Sequence, residues 1–241
     1  MTALCQLRLG YGCVLMLLRI EWGTMKFQAA VFDLDGTLLD TLADIADAMN
    51  AALGRMGFPG HEMDAYRYLT GDGVRALAER SIPARAKDET AFAACIREFR
   101  SEYAARWGAK TRPFPGITGL LTELVRRGFK LSVLSNKLEE FARRAVRDFL
   151  PGFDFKFVIG AKPELPPKPD PAGALLIARG LNIPSSRILY LGDTGVDMQT
   201  AVRARMFPIG VLWGFRDEKE LRENGAQALI GSPQELLGLI D

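Results

Sequence analysis

The sequence predicts a doubly wound α/β protein, a parallel sheet with helices on both faces, carrying one all-helical segment inserted after the first strand. Three observations carry that prediction. Short apolar runs recur at residues 27–32, 130–134, 155–159, 188–191 and 208–212, near-continuous rather than alternating, as strands buried on both faces are. Helical patterns lie between the later runs, which is the order a parallel sheet with crossover helices requires. Residues 41–110 break the alternation with helical periodicity alone.

In chain order, residues 1–24 stand apart. Their apolar stretch, Val14 to Leu18, lies between Arg8 and Arg19, far short of the ~20 apolar residues of a membrane span. Glu21-Trp22-Gly23 follows where a small-residue cleavage site would be needed for export. Met25 then opens a segment that reads at once as a buried strand. Residues 1–24 are therefore expected to be an extension produced by start-site assignment, with translation beginning at Met25.

The first strand ends abruptly in Asp33-Leu34-Asp35-Gly36. Beyond it, Ile45, Ala48, Met49, Ala52, Leu53 and Met56 recur at three- and four-residue steps and stop at Gly57. A shorter helical stretch runs from Val74 to Arg80, and Phe92, Ile96, Phe99, Tyr103 and Trp107 repeat the spacing before Gly108. Such stripes are packing faces, and an all-helical insert in this place reads as a lid. The predicted organisation is an extension (1–24), an α/β core (25–40 and 111–241) and a helical cap (41–110). Within the core, Phe141, Ala145 and Phe149 mark a helix over 138–149. Asp170 and Pro171 open another that stops at Gly180. Ser232 and Glu235 have capping-box spacing ahead of a last helix over 233–240.

Composition removes several function classes. With 31 basic and 29 acidic residues the formal charge is +2, too balanced to neutralise many backbone phosphates, so no nucleic-acid partner is expected. Cys5, Cys13 and Cys95 form no C-x-x-C pair and no disulfide framework, which points to a reducing compartment, the cytoplasm by default. His61 is the one histidine, excluding a His-rich metal site. It follows Pro59-Gly60 in a polar run and reads as an exposed loop residue. No membrane association is expected, and both a monomer and a homodimer remain open.

In an open α/β sheet ligands bind beyond the carboxyl ends of the strands. Here those ends carry Asp33 and Asp35, then Ser135-Asn136, then Gly192-Asp193-Thr194 with Asp197 close behind. A proline-rich loop from Pro163 to Pro171 carries Lys168. Each type suits phosphoryl transfer. A carboxylate, ionised at neutral pH, lets Asp33 attack phosphorus without a base. Asp35 is placed to protonate the leaving oxygen and then activate water. Asp193 belongs to the hard-oxygen set that Mg²⁺ prefers. Lys168 and the Ser135 hydroxyl offer contacts to the phosphate. Clustered carboxylates facing a phosphate dianion repel, and one lysine does not compensate without a divalent cation. Singly, each motif has a plainer reading: an Asx turn at Asp33, a helix cap at Ser135-Asn136, a solvated charge at Lys168, a turn at Gly192-Asp193. Their coincidence at successive strand ends favours the chemical one.

With Asp33-Leu-Asp-Gly-Thr-Leu, Leu134-Ser-Asn, Lys168-Pro-Asp-Pro and Gly192-Asp-Thr-Gly-Val-Asp in this order, the chain resembles the haloacid dehalogenase superfamily, in its phosphatase branch, from about Lys26 to Asp241. The resemblance implies Asp33 as nucleophile with its other oxygen on Mg²⁺, and Asp35 as acid/base with its main-chain carbonyl on the same ion. It further implies Ser135, Asn136 and Lys168 on the phosphate, Lys168 in the catalytic set, Asp193 as metal ligand and Asp197 as its support. Leu69-Thr-Gly-Asp-Gly-Val-Arg, Arg112-Pro-Phe-Pro-Gly and Gly210-Val-Leu-Trp-Gly-Phe-Arg resemble the phosphoglycolate phosphatase group, so a small anionic phosphomonoester such as 2-phosphoglycolate is the expected substrate. Arg67, Arg75 and Arg80 surround the Gly71-Asp72-Gly73 turn; Arg75 is expected to meet a substrate carboxylate, with Gly73 beside it. A dehalogenase needs no second acid, and a phosphonate-cleaving enzyme lacks one at the place of Asp35. A phosphosugar mutase shares the chemistry, and a non-catalytic binding protein sharing the fold is the alternative of a different kind.

Overall fold

The computed structural model describes residues 27–241, so the predicted extension, with Cys5 and Cys13, lies outside the described residues. Strand β1 (Ala29–Phe32) is wholly buried. It pairs in parallel with β4 (Lys130–Leu138) on one side and β6 (Ile188–Gly192) on the other. Outside these lie β5 (Phe155–Ala161), β7 (Phe207–Val211) and β8 (Ala228–Ile230), in the order β5-β4-β1-β6-β7-β8. The winding reverses at β1, and that reversal opens the crevice of a parallel sheet beyond the strands' carboxyl ends.

Successive residues of β1 serve opposite faces, as the pleat dictates. Ala30 and Phe32 join Leu131 and Val133 against α5 (Ile117–Arg126) and α6 (Glu139–Phe149), through Leu120, Leu124, Ala142 and Ala145. Ala29 and Val31 meet α7 (Ala172–Leu181) and α8 (Gly195–Arg203) through Ala174, Ile177 and Ala201. Burial on both faces is the cause of the near-continuous apolar runs. Strand β4 continues to Leu138, past the expected end at Leu134, because Leu138 pairs again with Ala161 beyond a bulge. The three-residue β8 is too short to give a periodic signal.

Between β2 (Leu39–Asp40) and β3 (Arg112–Pro113) the structure is helical: α1 (Leu42–Arg55), the single turn α2 (Tyr66–Leu69), α3 (Gly73–Ser81) and α4 (Glu89–Ala105). The expected stripe of α1 is buried at Ile45, Ala48, Met49, Ala52 and Leu53, against Phe92, Cys95, Phe99 and Tyr103 of α4. Phe141 of α6 and Phe215 close this second core from the sheet side. Strands β2 and β3 form a two-residue antiparallel ladder. Just beyond it the buried Asp44 carboxylate accepts hydrogen bonds from Lys110 N (3.0 Å), Thr111 N (2.9 Å) and Thr111 Oγ1 (2.6 Å).

One loop reading is corrected. His61 is half-buried, its Nε2 2.8 Å from the Ser81 carbonyl, and Asn50 holds its backbone N–H and C=O. Its partners come from α1 and from the end of α3, not from the polar run around it. Among the described residues no helix is long and apolar enough to cross a membrane.

Candidate active site

The carboxyl ends of β1, β4 and β6 bring most of the sequence-predicted residues to one place. Asp33 follows β1 directly and is buried, its N–H donating to Leu191 O across to β6 at 2.9 Å. Asp193 follows β6 and is fully buried; its Oδ1 accepts from Thr37 Oγ1 (2.8 Å) and its Oδ2 from Phe215 N (2.9 Å). Two glycines make room for it. A Cβ on Gly36, at φ +89°, would lie 2.3 Å from Asp193 Oδ2, and one on Gly214 would lie 2.2 Å from Asp193 Cβ. Trp213 Nε1 donates to Thr37 O at 3.0 Å, tying the loop after β7 to the turn after β1.

Lys168 is buried with its ammonium between two carboxylates. Its Nζ donates to Asp197 Oδ1 at 2.6 Å and stands 2.9 Å from Asp33 Oδ1 as an ion pair without a directed hydrogen bond. Asp197 Oδ2 accepts from Thr194 N (3.1 Å) and Thr194 Oγ1 (2.6 Å), and Asp197 N donates back to Thr194 Oγ1 (3.4 Å), completing the capping box that starts α8. Both its oxygens are thereby engaged, so Asp197 orients Lys168 and the turn after β6. Asn136 holds the other side of the lysine: its Nδ2 donates to Lys168 O (3.1 Å) and its Oδ1 accepts from Lys168 N (2.9 Å). The Asn136 side chain is thus committed to the Lys168 backbone. Ser135, one residue earlier, is buried and lines the cavity described below.

The electrostatics follow from burial. Asp33 is pushed up to about 7, first by removal of its carboxylate from water, which the adjacent Lys168 only partly offsets while Asp197 and Asp35 add repulsion. Asp193 is raised for the same first reason and by the Asp197 and Asp33 charges. Burial alone would lower Lys168, yet Asp197 and Asp33 outweigh it and hold the ammonium protonated. Oxygens of Asp33, Asp193 and Asp197 lie within 4.8 Å of one another. At that separation each like pair repels by on the order of 3 kcal/mol at an effective dielectric of about 20, and one ammonium faces three carboxylates. Hard oxygens and excess negative charge fit a divalent cation. Asp197 is committed to the Lys168 ammonium and the Thr194 cap, whereas Asp193 accepts only neutral hydrogen bonds and Asp33 borders the cavity, so Asp33 and Asp193 are the carboxylates left to a cation.

One predicted residue stands away from the cavity, and one residue of the cavity was absent from the expectation. Arg75 does not reach the cavity: on the outer side of α3 it pairs with Glu79 and Glu89 and stacks over Phe92, 4.9 Å from the ring centroid. Lys137 is the residue that sequence reasoning missed. It is buried against Asp35, with Nζ 3.0 and 3.1 Å from the two carboxylate oxygens and 2.8 Å from Tyr103 Oη. Burial would lower this ammonium, but Asp35 and Tyr103 raise it above the ordinary lysine range. The signal was available: with β4 continuing past Leu134, Ser135 and Lys137 fall two apart on one side of the strand.

Above these groups lies a cavity floored by Asp33, Asp35, Ser135 and Lys137 and roofed by Ile45, Gly73, Val74, Leu77, Phe99 and Tyr103. It offers about 50 Å³ to the centres of water-sized atoms, room for roughly four waters. Gly73, at φ +88°, brings the start of α3 against the Asn136 carbonyl, 3.3 Å from where a Cβ would stand. Two arginines fasten the roof: Arg67 Nη1 donates to Gly214 O and Arg216 Nη2 to Thr70 O, each at 2.9 Å. Arg216 also stacks on Tyr68, 5.1 Å from the ring centroid.

Comparison with known proteins gives a consistent picture. A profile of haloacid dehalogenase-like hydrolases matches residues 30–211. Phosphoglycolate phosphatase of Psychrobacter arcticus is 31% identical over 207 residues, 83% of this chain and 89% of that protein. The Aquifex aeolicus protein of the same name is 32% identical over 212 residues, 88% of this chain and 95% of its own. A crystal structure of a candidate phosphoglycolate phosphatase from Lactobacillus delbrueckii subsp. bulgaricus superposes with a TM-score of 0.84 at 32% identity, covering 90% of this chain and 99% of that one.

Proposed function

Because the chain belongs to the haloacid dehalogenase-like hydrolase family, we propose that it is a magnesium-dependent phosphomonoester hydrolase acting through an aspartyl-phosphate on Asp33, with 2-phosphoglycolate as its substrate. The observation that carries this reading is the position of Asp33, buried at the end of β1, 2.9 Å from the Lys168 ammonium and sharing a small cavity with Ser135 and Asp35.

In the first half-reaction a carboxylate oxygen of Asp33 bonds to phosphorus as the ester P–O bond breaks, and the departing alkoxide takes a proton from Asp35. Lys168 Nζ and Ser135 Oγ hold the transferring phosphoryl oxygens, with Asn136 and Asp197 keeping the lysine in place. In the second half-reaction Asp35 recovers its proton from a water that attacks the phosphorus, releasing inorganic phosphate and the Asp33 carboxylate. A magnesium ion, held by Asp33, Asp193 and the main-chain carbonyl of Asp35, would neutralise charge on the phosphoryl oxygens. The restricted cavity favours a substrate with a small leaving group, and the relatives named phosphoglycolate phosphatase favour the specific ester.

Inorganic phosphate release over a panel of phosphomonoesters, with and without Mg²⁺, tests the reading. Turnover is expected to require the metal and to fall by about a thousandfold or more in Asp33→Asn. Substantial activity in that variant would sink the covalent mechanism. Sugar phosphates or nucleotides exceeding phosphoglycolate by roughly tenfold in kcat/KM, about 1.4 kcal/mol of transition-state binding, would overturn the substrate alone.

A further inference from the structure

We propose that Lys137, with the Tyr103 hydroxyl, is the specificity-determining pair that holds the second anionic group of the substrate, exchanging Asp35 for it on binding. The inference rests on the phosphomonoester reading above and names what recognises the rest of the ester.

Among the described residues lining the cavity, Lys137 carries the one cationic side chain; Lys168 lies beneath, committed to Asp33 and Asp197. The helical roof contributes apolar groups at Ile45, Val74, Leu77 and Phe99, together with the Tyr103 hydroxyl. The arginines around the roof are held elsewhere: Arg67 on Gly214 O, Arg75 on glutamates, Arg80 on Asp72 and the Tyr68 and Leu69 carbonyls, and Arg216, outside the cavity lining, on Thr70 O and Glu220. A carboxylate carried by the substrate therefore meets one charged donor, Lys137 Nζ, with Tyr103 Oη 2.8 Å from it as a neutral second donor.

The resting contact of Lys137 explains how such a charge is kept ready in an apolar chamber. Buried without a partner, an ammonium would be costly; Asp35 supplies one through both oxygens. A substrate carboxylate is a like-for-like replacement, since it too can engage the ammonium through two oxygens. When Lys137 turns to it, Asp35 is released from a two-oxygen contact and becomes available to the leaving oxygen. An ester without the second anion leaves Lys137 on Asp35, so recognition at one end of the substrate is coupled to the chemistry at the other.

The test compares 2-phosphoglycolate with 2-hydroxyethyl phosphate, which replaces the carboxylate by a neutral group of similar size, in wild type, Lys137→Met and Tyr103→Phe. In wild type kcat/KM is expected to favour phosphoglycolate by more than tenfold. Lys137→Met is expected to reduce that ratio at least tenfold, chiefly by raising KM for phosphoglycolate, and Tyr103→Phe, which removes only a hydroxyl, to reduce it severalfold. Should Lys137→Met fail to fold, the Tyr103→Phe ratio decides alone. Equal losses for the two esters in both variants, or equal efficiencies in wild type, would overturn the inference and leave the phosphatase reading standing. Hydrolysis of neither ester by wild type would overturn the inference together with the assignment of phosphoglycolate as substrate.

Discussion

Asp193 lies so close to Gly214 that a Cβ on the glycine would stand 2.2 Å from the aspartate's own Cβ. The carboxylate is thus held by shape as well as by its hydrogen bonds to Thr37 and Phe215. Gly214→Ala is expected to displace Asp193, cost about 1–3 kcal/mol in stability through overpacking, and weaken Mg²⁺ activation. A chemical melt and an Mg²⁺ titration of activity check both effects; an unchanged metal requirement would show that Asp193 needs no such confinement.

The raised Asp33 has a consequence for stability without metal. Its folded value, about 7, exceeds the ordinary 3.8, so the folded state binds the proton more tightly. The resulting stabilisation is full below about 4 and is lost as pH rises towards 7, amounting to a few kcal/mol at most. Metal-free wild type is therefore expected to lose melting temperature between pH 5 and pH 8, and Asp33→Asn to lose less and to melt above wild type at pH 8. Thermal melts in chelator across that range decide it, and parallel curves for the two proteins would count against the mechanism.

Arg216 and Arg67 fasten the helical roof through main-chain carbonyls of Thr70 and Gly214. Arg216→Ala removes a charged hydrogen bond and the stack on Tyr68. It is expected to raise KM by roughly five- to thirtyfold, about 1–2 kcal/mol, with a smaller change in kcat. Steady-state kinetics separate the two parameters; a fall in kcat alone would instead assign Arg216 to the chemical step.

Asp44 joins the start of the helical segment to its end, accepting from Lys110 and Thr111. Asp44→Ala strands those buried donors and is expected to destabilise the protein by about 2–4 kcal/mol. Urea unfolding measures it directly, and a loss below about 0.5 kcal/mol would show that the linkers are held by the β2–β3 ladder alone.

Much of this site was legible because strand ends in a parallel sheet converge by topology. Asp33, Ser135, Asp193 and Asp197 needed only the strand pattern to be brought together, while Lys168, in the loop beyond β5, is brought in by the Asn136 clamp. Facing direction was less legible. Val74 and Leu77, three apart on α3, line the cavity, whereas Arg75 sits one residue from Val74, about 100° round the helix, and turns outward. Proximity to the Gly71–Gly73 turn carried no information about that rotation. Lys137 was hidden by ending β4 at Leu134. The contacts of Arg67 and Arg216 join residues far apart in sequence across two layers, which no local periodicity encodes.

The pairing of Leu39–Asp40 with Arg112–Pro113 sets the two ends of the helical segment side by side, a separation of roughly 5 Å across an antiparallel pair. To the sheet, everything between them is equivalent to the tip of a hairpin. A two-residue Asn-Gly turn would close the same gap, so the path of the sheet is independent of what the hairpin carries. Exchange of the entire segment for another of different shape would reshape the roof of the cavity beside Asp33 without rethreading a single strand. In this architecture the roof is an exchangeable part, joined to the sheet by two peptide crossings.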